Sequence, residues 1–233
     1  MDAPLRALVF DVFGTLVDWR GGIAREVRAV LGARVPDPEA FADDWRAQYQ
    51  PTMERVRSGE WPFAKLDVLH RVNLDRVLAD RGLNDVDEAT RAELNLAWHR
   101  LDAWPDVTPG LMRLRERFRL APCSNGNISL MVDLARRNGF PWDAILGAEL
   151  ARDYKPKAVV YLSAAAAFDG APGETLMVAA HSSDLESAAV AGLRTAFVGR
   201  PDEKGPGLGE RVATVPVDFS VASLIALAER FGV

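Results

Sequence analysis

Four short stretches of this 233-residue chain place polar or ionisable side chains directly after apolar, strand-like runs. Asp11 follows Ala7–Phe10, Ser124 and Asn125 follow residues 120–123, Lys155 comes shortly after 144–146, and the segment from His181 to Asp184 follows 176–180. Each has an ordinary explanation when taken singly. Asp11 reads as a turn carboxylate, Ser124-Asn125-Gly126 as a turn, Lys155 as a solvated charge and Asp184 as a helix N-cap. Taken together, two carboxylates, an ammonium, a hydroxyl, an amide and an imidazole arrive at one sheet edge, and that set suits catalysis. Lys155 stands out further, being one of four lysines in a chain that otherwise uses arginine. A Ser-His-Asp hydrolase built from Ser124, His181 and Asp184 is available on composition, but no G-x-S-x-G elbow surrounds Ser124.

Positioning these residues together requires a parallel sheet, because ligands bind beyond the carboxyl ends of the strands in such folds. The sequence supplies that pattern. Short apolar runs at 7–10, 120–123, 144–146, 176–180 and 195–198 alternate with helical periodicities. Thr108 is expected to cap a helix with Pro109 in its first turn and Leu111, Leu114 and Phe118 on one face, while Gly139 and Gly192 read as helix stops. The stretch 19–101 breaks the alternation, showing helical patterns such as Leu94, Trp98 and Leu101 and no strand. Pro36, Pro38, Pro51, Gly59 and Pro62 are expected at its internal turns, and Trp104-Pro105 at the return. The fold class is therefore α/β, a doubly wound parallel-sheet (Rossmann-like) core formed by 1–18 and 102–233, with an all-helical cap subdomain inserted over 19–101. The glycine-rich segment 205–209 reads as a surface loop, lacking the flanking strand and helix of a dinucleotide site.

Composition narrows the function. With 48% hydrophobic and 26% charged residues the chain is globular in type. Its net charge of −5 gives no electrostatic reason to expect nucleic acid or an anionic membrane as partner. Cys123 is the one cysteine, so no intrachain disulfide, thiolate cluster or CxxC pair can form, which fits a reducing, cytoplasmic setting. The apolar run at the N-terminus is too short for a signal peptide, and no run approaches membrane-spanning length.

The residues Asp11-Val-Phe-Gly-Thr-Leu-Val-Asp18, Ser124-Asn-Gly126, Tyr154-Lys-Pro156 and Asp184 resemble the four ordered motifs of the haloacid-dehalogenase superfamily of hydrolases. The helical insert stands where that superfamily carries its cap. The resemblance implies that Asp11 is a nucleophile forming a covalent intermediate. Most members are magnesium phosphatases with a second aspartate, two residues after the nucleophile, that protonates the departing alkoxide. Here that position is Phe13, which cannot donate a proton, and losing such an acid costs roughly 10²–10⁴ in rate. A halide leaves as a stable anion and needs no acid. The Asp11-x-Phe13-Gly14-Thr15 form is similar to the L-2-haloacid dehalogenases, which implies attack of Asp11 on C2 of a 2-haloacid, then hydrolysis of the resulting ester without metal or other cofactor.

The same resemblance assigns further roles. Lys155 would keep Asp11 ionised, since a nearby cation lowers a carboxyl pKa. Ser124 with backbone donors would receive the substrate carboxylate, Asn125 the departing halide, and Asp184 would orient or deprotonate the water. Trp45-Arg46-Ala-Gln48-Tyr49 resembles the family's cap motif, making Arg46 a halide ligand. Tyr161, six residues after Lys155, matches a site tyrosine and serves equally as a core residue. Thr15 would anchor the nucleophile's loop. Trp19, Trp61 and Phe63 are candidates for an apolar pocket wall, and His70 and His99 read as structural.

The fourth motif departs from the family, with Ala179 where a serine is usual and His181 where an asparagine is usual. Two readings of His181 stay open. It bonds the Asp11 ester or helps activate water, giving a near-neutral limb in the pH profile, or it packs and orients Asp184. The expected partner is a small anionic substrate, with no nucleic acid or membrane and with a possible homodimer. Two rivals remain: a magnesium phosphatase using Asp11 and Asp184, and a non-catalytic anion binder, which would gain nothing from two buried carboxylates.

Overall fold

The computed structural model describes residues 4–233. Six strands, β1 (Ala7–Phe10), β2 (Arg119–Ser124), β3 (Leu146–Gly147), β4 (Thr175–Ala179), β5 (Arg194–Val198) and β6 (Phe219–Val221), form one parallel sheet in the order β3-β2-β1-β4-β5-β6. β1 is central, pairing Leu8 with Leu120 on one side and with Leu176 on the other. All four of its residues are buried, as a strand covered on both faces requires. Alternate side chains divide between two apolar layers. Leu8, Phe10, Leu120, Leu176 and Val178 share one face, and Ala7, Val9, Ala121, Met177 and Ala179 the other.

The helices of the core are α6 (Val107–Leu114), α7 (Ile128–Asn138), α8 (Ala148–Ala151), α9 (Ala158–Ala166), α10 (Ser182–Val190) and α11 (Leu224–Arg230). Between β1 and α6 the chain forms α1 (Trp19–Leu31), α2 (Pro38–Ala47), α3 (Tyr49–Arg57), α4 (Leu66–Asp80) and α5 (Glu88–Asn95), with no strand among them. Asp18, Asp37 and Asp87 start α1, α2 and α5 by accepting from Gly21 N, Ala40 N and Thr90 N, each satisfying a free N–H of a first turn. The segments entering and leaving the helical stretch pair with each other: Asp18 N donates to Asp102 O and Trp104 N to Leu16 O. The first apolar layer runs through Phe13, Leu16 and Val17 into Phe41, Trp45 and Trp98, so the insert shares the core of the sheet.

Several expectations are corrected. The third strand is Leu146–Gly147, later than 144–146, because Asp143 engages Leu120 first: its N donates to Leu120 O and its carboxylate accepts from Leu120 N. β6 was not anticipated. Thr108 does not cap α6; its hydroxyl donates to Asn138 O, while Asp106 precedes the helix and pairs with Arg200. Phe118 is buried but lies beyond the last turn of α6. Pro51 sits in the first turn of α3, where its missing N–H leaves no bond unmade. Gly139 ends α7 in the left-handed region at φ 71°.

His99 joins the insert to the core, with Nδ1 2.8 Å from Asp133 of α7 and Nε2 3.1 Å from Asp67 of α4. Burial works against its charge, but the two carboxylates outweigh it and raise its pKa. A histidine whose folded pKa lies above its unfolded value stabilises fully below about pH 6.5, and that contribution is lost as pH rises through the folded value. Thermal unfolding of His99→Gln against wild type should therefore show the larger deficit at pH 6 and a smaller one at pH 9. An equal deficit at both would contradict the ion pairs.

Candidate active site

The strand order reverses around β1, and the crevice this opens at the carboxyl ends of β1 and β4 is where the polar side chains meet. Asp11 extends β1 by one rung, its N donating to Val178 O. Thr15 donates to Asp11 Oδ2 at 2.8 Å and accepts from Ala180 N, so one hydroxyl ties the Asp11 loop to the end of β4. Lys155 Nζ lies between two carboxylates, 2.8 Å from Asp11 Oδ1 and 2.5 Å from Asp184 Oδ2. Tyr161 donates to Asp184 Oδ1 at 2.6 Å, and Asn125 Oδ1 accepts from Lys155 N, fixing the loop that carries the ammonium. Asp184 lies in the first turn of α10 and His181 is the residue before that helix.

His181 has two carboxylate partners. Its Nδ1 is 3.1 Å from Asp11 Oδ2 and its Nε2 is 3.0 Å from Glu203 Oε2. Burial would strip its proton, but the hydrogen bonds and charges of Asp11 and Glu203 prevail and push its pKa up to about 10. The near-neutral pKa expected for His181 from the sequence is therefore corrected upward. The alternative role is corrected too, since the ring holds Asp11 and Glu203 rather than Asp184. Burial favours protonation of Asp11, yet the Lys155 ammonium, followed by His181, holds its carboxyl far below the usual range. Lys155 is itself desolvated, and the charges of Asp11 and Asp184 keep it firmly protonated.

Glu203 is the residue the sequence did not reveal. It belongs to the loop after β5, just before the glycine-rich segment, and is 2% exposed. Trp19 Nε1 donates to its Oε1 at 2.9 Å. Gly14 makes room for it: φ is 84° there, and a Cβ would fall 2.2 Å from Glu203 Oε1. The glycine-rich segment 205–209 that follows lies at the surface as expected, with Pro206, Gly207 and Leu208 exposed, although Gly205 at its start is buried.

These groups line a cavity of about 1090 Å³ together with Phe13, Trp19, Arg46, Tyr49 and Arg57. The Arg46 guanidinium stacks 4.0 Å above the Tyr49 ring and 5.4 Å from Trp19, and its Nη1 is buried with no hydrogen-bond partner among the described residues. A buried, unpaired guanidinium N–H is costly unless an anion reaches it. Phe13 is 2% exposed and meets Trp98 edge-on at 5.6 Å, so the position two residues after Asp11 presents a hydrocarbon face. From α3, Arg57 Nη1 donates to Lys155 O, a polar latch between insert and core.

Not every candidate reaches the cavity. Ser124 is fully buried, its hydroxyl accepts from Gly126 N, and it is absent from the lining. Both ring nitrogens of His181 are engaged elsewhere, so a Ser124-His181-Asp184 relay is not assembled. Trp61 packs under Arg55, and Phe63 against Tyr154 and Arg152, rather than along the cavity. His70 is buried in a stack 4.2 Å from Trp98, where desolvation lowers its pKa to about 3.

The magnesium of a phosphatase does not fit these donors. Asp11 Oδ2 already faces Thr15 and an imidazolium, and the Lys155 ammonium occupies the space between Asp11 and Asp184. A divalent ion sharing those oxygens would sit against two positive charges. Among the described residues, no group of three or more His, Cys, Asp or Glu side chains is arranged to hold a metal. Nor is any described helix long and apolar enough to cross a membrane.

A family model for haloacid dehalogenase-like hydrolases matches residues 5–192. The structure superposes on that of a defluorinating L-2-haloacid dehalogenase with a TM-score of 0.94 and 42% identity over 100% of both chains. A second L-2-haloacid dehalogenase gives 0.92 and 43%, covering 97% of this chain and 99% of that one. Haloacetate dehalogenase H-2 of Moraxella sp. (strain B) is 29% identical over 96% of this chain and 99% of its own.

Proposed function

The chain belongs to the haloacid dehalogenase-like hydrolases, and from that footing we propose that it is a metal-independent 2-haloacid dehalogenase, converting short 2-haloalkanoates to 2-hydroxy acids through an ester on Asp11. The observation that carries this reading is the pairing of an ionised Asp11 with a hydrocarbon face at Phe13, where a phosphatase needs its acid. The names of the three relatives above agree with it, two being L-2-haloacid dehalogenases and one a haloacetate dehalogenase.

In the first step an Asp11 oxygen attacks C2 with inversion, the carbon–halogen bond breaks, and the halide leaves on the opposite side. Lys155 keeps the nucleophile anionic. Arg46 and the Asn125 amide are the donors for the anionic ends of the substrate, its carboxylate and its departing halide. Stretch 19–101 acts as the cap, bringing Trp19, Arg46 and Tyr49 over the crevice. In the second step water attacks Cγ of the ester, with Asp184, held by Lys155 and Tyr161, taking its proton.

The test is halide release from a panel of chloro- and fluoro-substituted 2-haloacids with a chelator present, beside a phosphate-ester panel with magnesium. Chelator-resistant halide release is expected. Silence on the haloacids with magnesium-dependent phosphate release would move the protein among the phosphatases. Arg46→Lys should cost roughly 10²–10³ in kcat for a donor lost to a developing anion. The ammonium cannot reproduce a planar fork stacked on Tyr49, and wild-type kinetics in this variant would remove Arg46 from the reaction.

A further inference from the structure

Ester hydrolysis raises a demand that halide departure does not. Once water has added to Cγ, the bond that breaks expels the alkoxide of a 2-hydroxy acid, a strong base that needs a proton. Phe13 cannot give one. We propose that Asp11 attacks through Oδ2 and that His181, clamped by Glu203, is the general acid of this second step, handing its Nδ1 proton to Oδ2 as the Cγ–Oδ2 bond breaks. The inference rests on the dehalogenase reading above and adds a residue to its second half.

The geometry restricts the choice of donor. Asp11 Oδ2 has two donors, Thr15 and His181, and Oδ1 has one, Lys155. The Thr15 hydroxyl is a very weak acid, and Lys155, an ammonium intrinsically less acidic than an imidazolium, keeps Asp184 beside it after Asp11 is esterified. Tyr161 points at Asp184. His181 remains. Both its nitrogens face ionised carboxylates, which only accept, so both must carry hydrogen and the ring is an imidazolium. It holds this charge beside the N-terminus of α10, where a helix disfavours cations, so Glu203 and Asp11 must supply the compensation. Glu203 is fixed for that task by Trp19 and by the space at Gly14.

The protons balance. Attacking water gives one proton to Asp184 and leaves a hydroxyl on Cγ. The Cγ–O bond to the substrate breaks, its electron pair goes to the departing oxygen, and His181 protonates that oxygen to release the 2-hydroxy acid. Asp11, now a carboxylic acid, returns its proton to Nδ1, and Asp184 loses its own to solvent. The charges drive the cycle in this order. While Asp11 is esterified, its anion no longer supports the imidazolium, which becomes a stronger acid when a proton is needed. When the carboxylate is restored the affinity of His181 for a proton returns. Besides Asp11 and Glu203, the inner charged groups of this cavity are Lys155, Asp184 and Arg46, with Arg57, Lys157, Lys204, Asp43, Glu54, Glu186 and Glu210 further out along its wall.

The experiment is rapid-quench kinetics with 2-chloropropionate, following chloride and the intact protein mass. His181→Asn should release its first equivalent of chloride near the wild-type rate, then accumulate the Asp11 ester, with hydrolysis slowed roughly 10²–10⁴-fold. Glu203→Gln keeps an acceptor for Nε2–H but not the charge, so the alkaline limb of ester hydrolysis should move to lower pH. The proposal is overturned if His181→Asn turns over without accumulating ester, if it slows chloride release and hydrolysis alike, or if the limb stays in place in Glu203→Gln. Failure of the wild-type protein to release any chloride would instead defeat the dehalogenase reading beneath it.

Discussion

Asp11→Asn is expected to lower chloride release from 2-chloropropionate by at least roughly 10⁴-fold, the scale seen when a covalent nucleophile is removed. The substitution is nearly isosteric, so its effect is chemical. An amide oxygen is a poor nucleophile, and the change also alters the neighbours. The carboxylate accepts from Lys155 on one oxygen and from Thr15 and His181 on the other. An amide that keeps its oxygen towards Lys155 must point its NH₂ at two donors, an arrangement relieved by loss of the Nδ1 proton from His181. The variant should therefore be inactive and should titrate His181 well below about 10, readable from its ring resonances in NMR. Substantial halide release would refute Asp11 as the nucleophile, and an unmoved histidine would refute the hydrogen bond.

Lys155→Met should be both inactive and unstable. Lys155 is 7% exposed, and its ammonium neutralises two carboxylates at once. Removing one partner of a buried ion pair leaves an uncompensated charge and costs about 3–5 kcal/mol. The sign can be followed through Asp11. In the wild type its depressed pKa contributes stability above the unfolded carboxyl value of about 3.9, lost as pH falls through the folded value. In the variant the Lys155 charge is lost while burial and the His181 pairing remain, so that pKa rises from its wild-type position and the deficit is relieved as acidification protonates the carboxylate. Urea unfolding at pH 8 and pH 5 should show a large gap between the proteins at the higher pH and a narrower one at the lower. A gap independent of pH would mean that the lysine stem, rather than its charge, holds the loop.

The sheet was legible wherever a strand is covered on both faces. β1, β2, β4 and β5 announce themselves as unbroken apolar runs because both sides of each are buried. β6 was not, since Phe219-Ser220-Val221 is a half-exposed edge whose pairing to β5 comes from tertiary contact. Within the site, Asp11, Thr15, Asn125, Lys155, Tyr161, His181 and Asp184 were found because each stands at a fixed offset from a strand or from another motif. Glu203 has no such offset. In Pro201-Asp-Glu-Lys-Gly205 it reads as a solvated charge run, and its burial follows from the space above Gly14 and the indole of Trp19. Ser124 shows the converse, a motif residue whose hydroxyl the backbone of Gly126 consumes.

The cavity that admits an anion does little to attract one. Lys155, His181 and Arg46 are matched by Asp11, Asp184 and Glu203, while further out Arg57, Lys157 and Lys204 face Asp43, Glu54, Glu186 and Glu210. With acidic groups at least equal to basic ones and a whole-chain charge of −5, no long-range field funnels a haloalkanoate inward. Capture then depends on contacts made after arrival, on the unpaired Arg46 N–H above all. Ionic strength should leave kcat/KM flat or raise it slightly, in contrast to the steep decline of enzymes that draw their anions in from a distance.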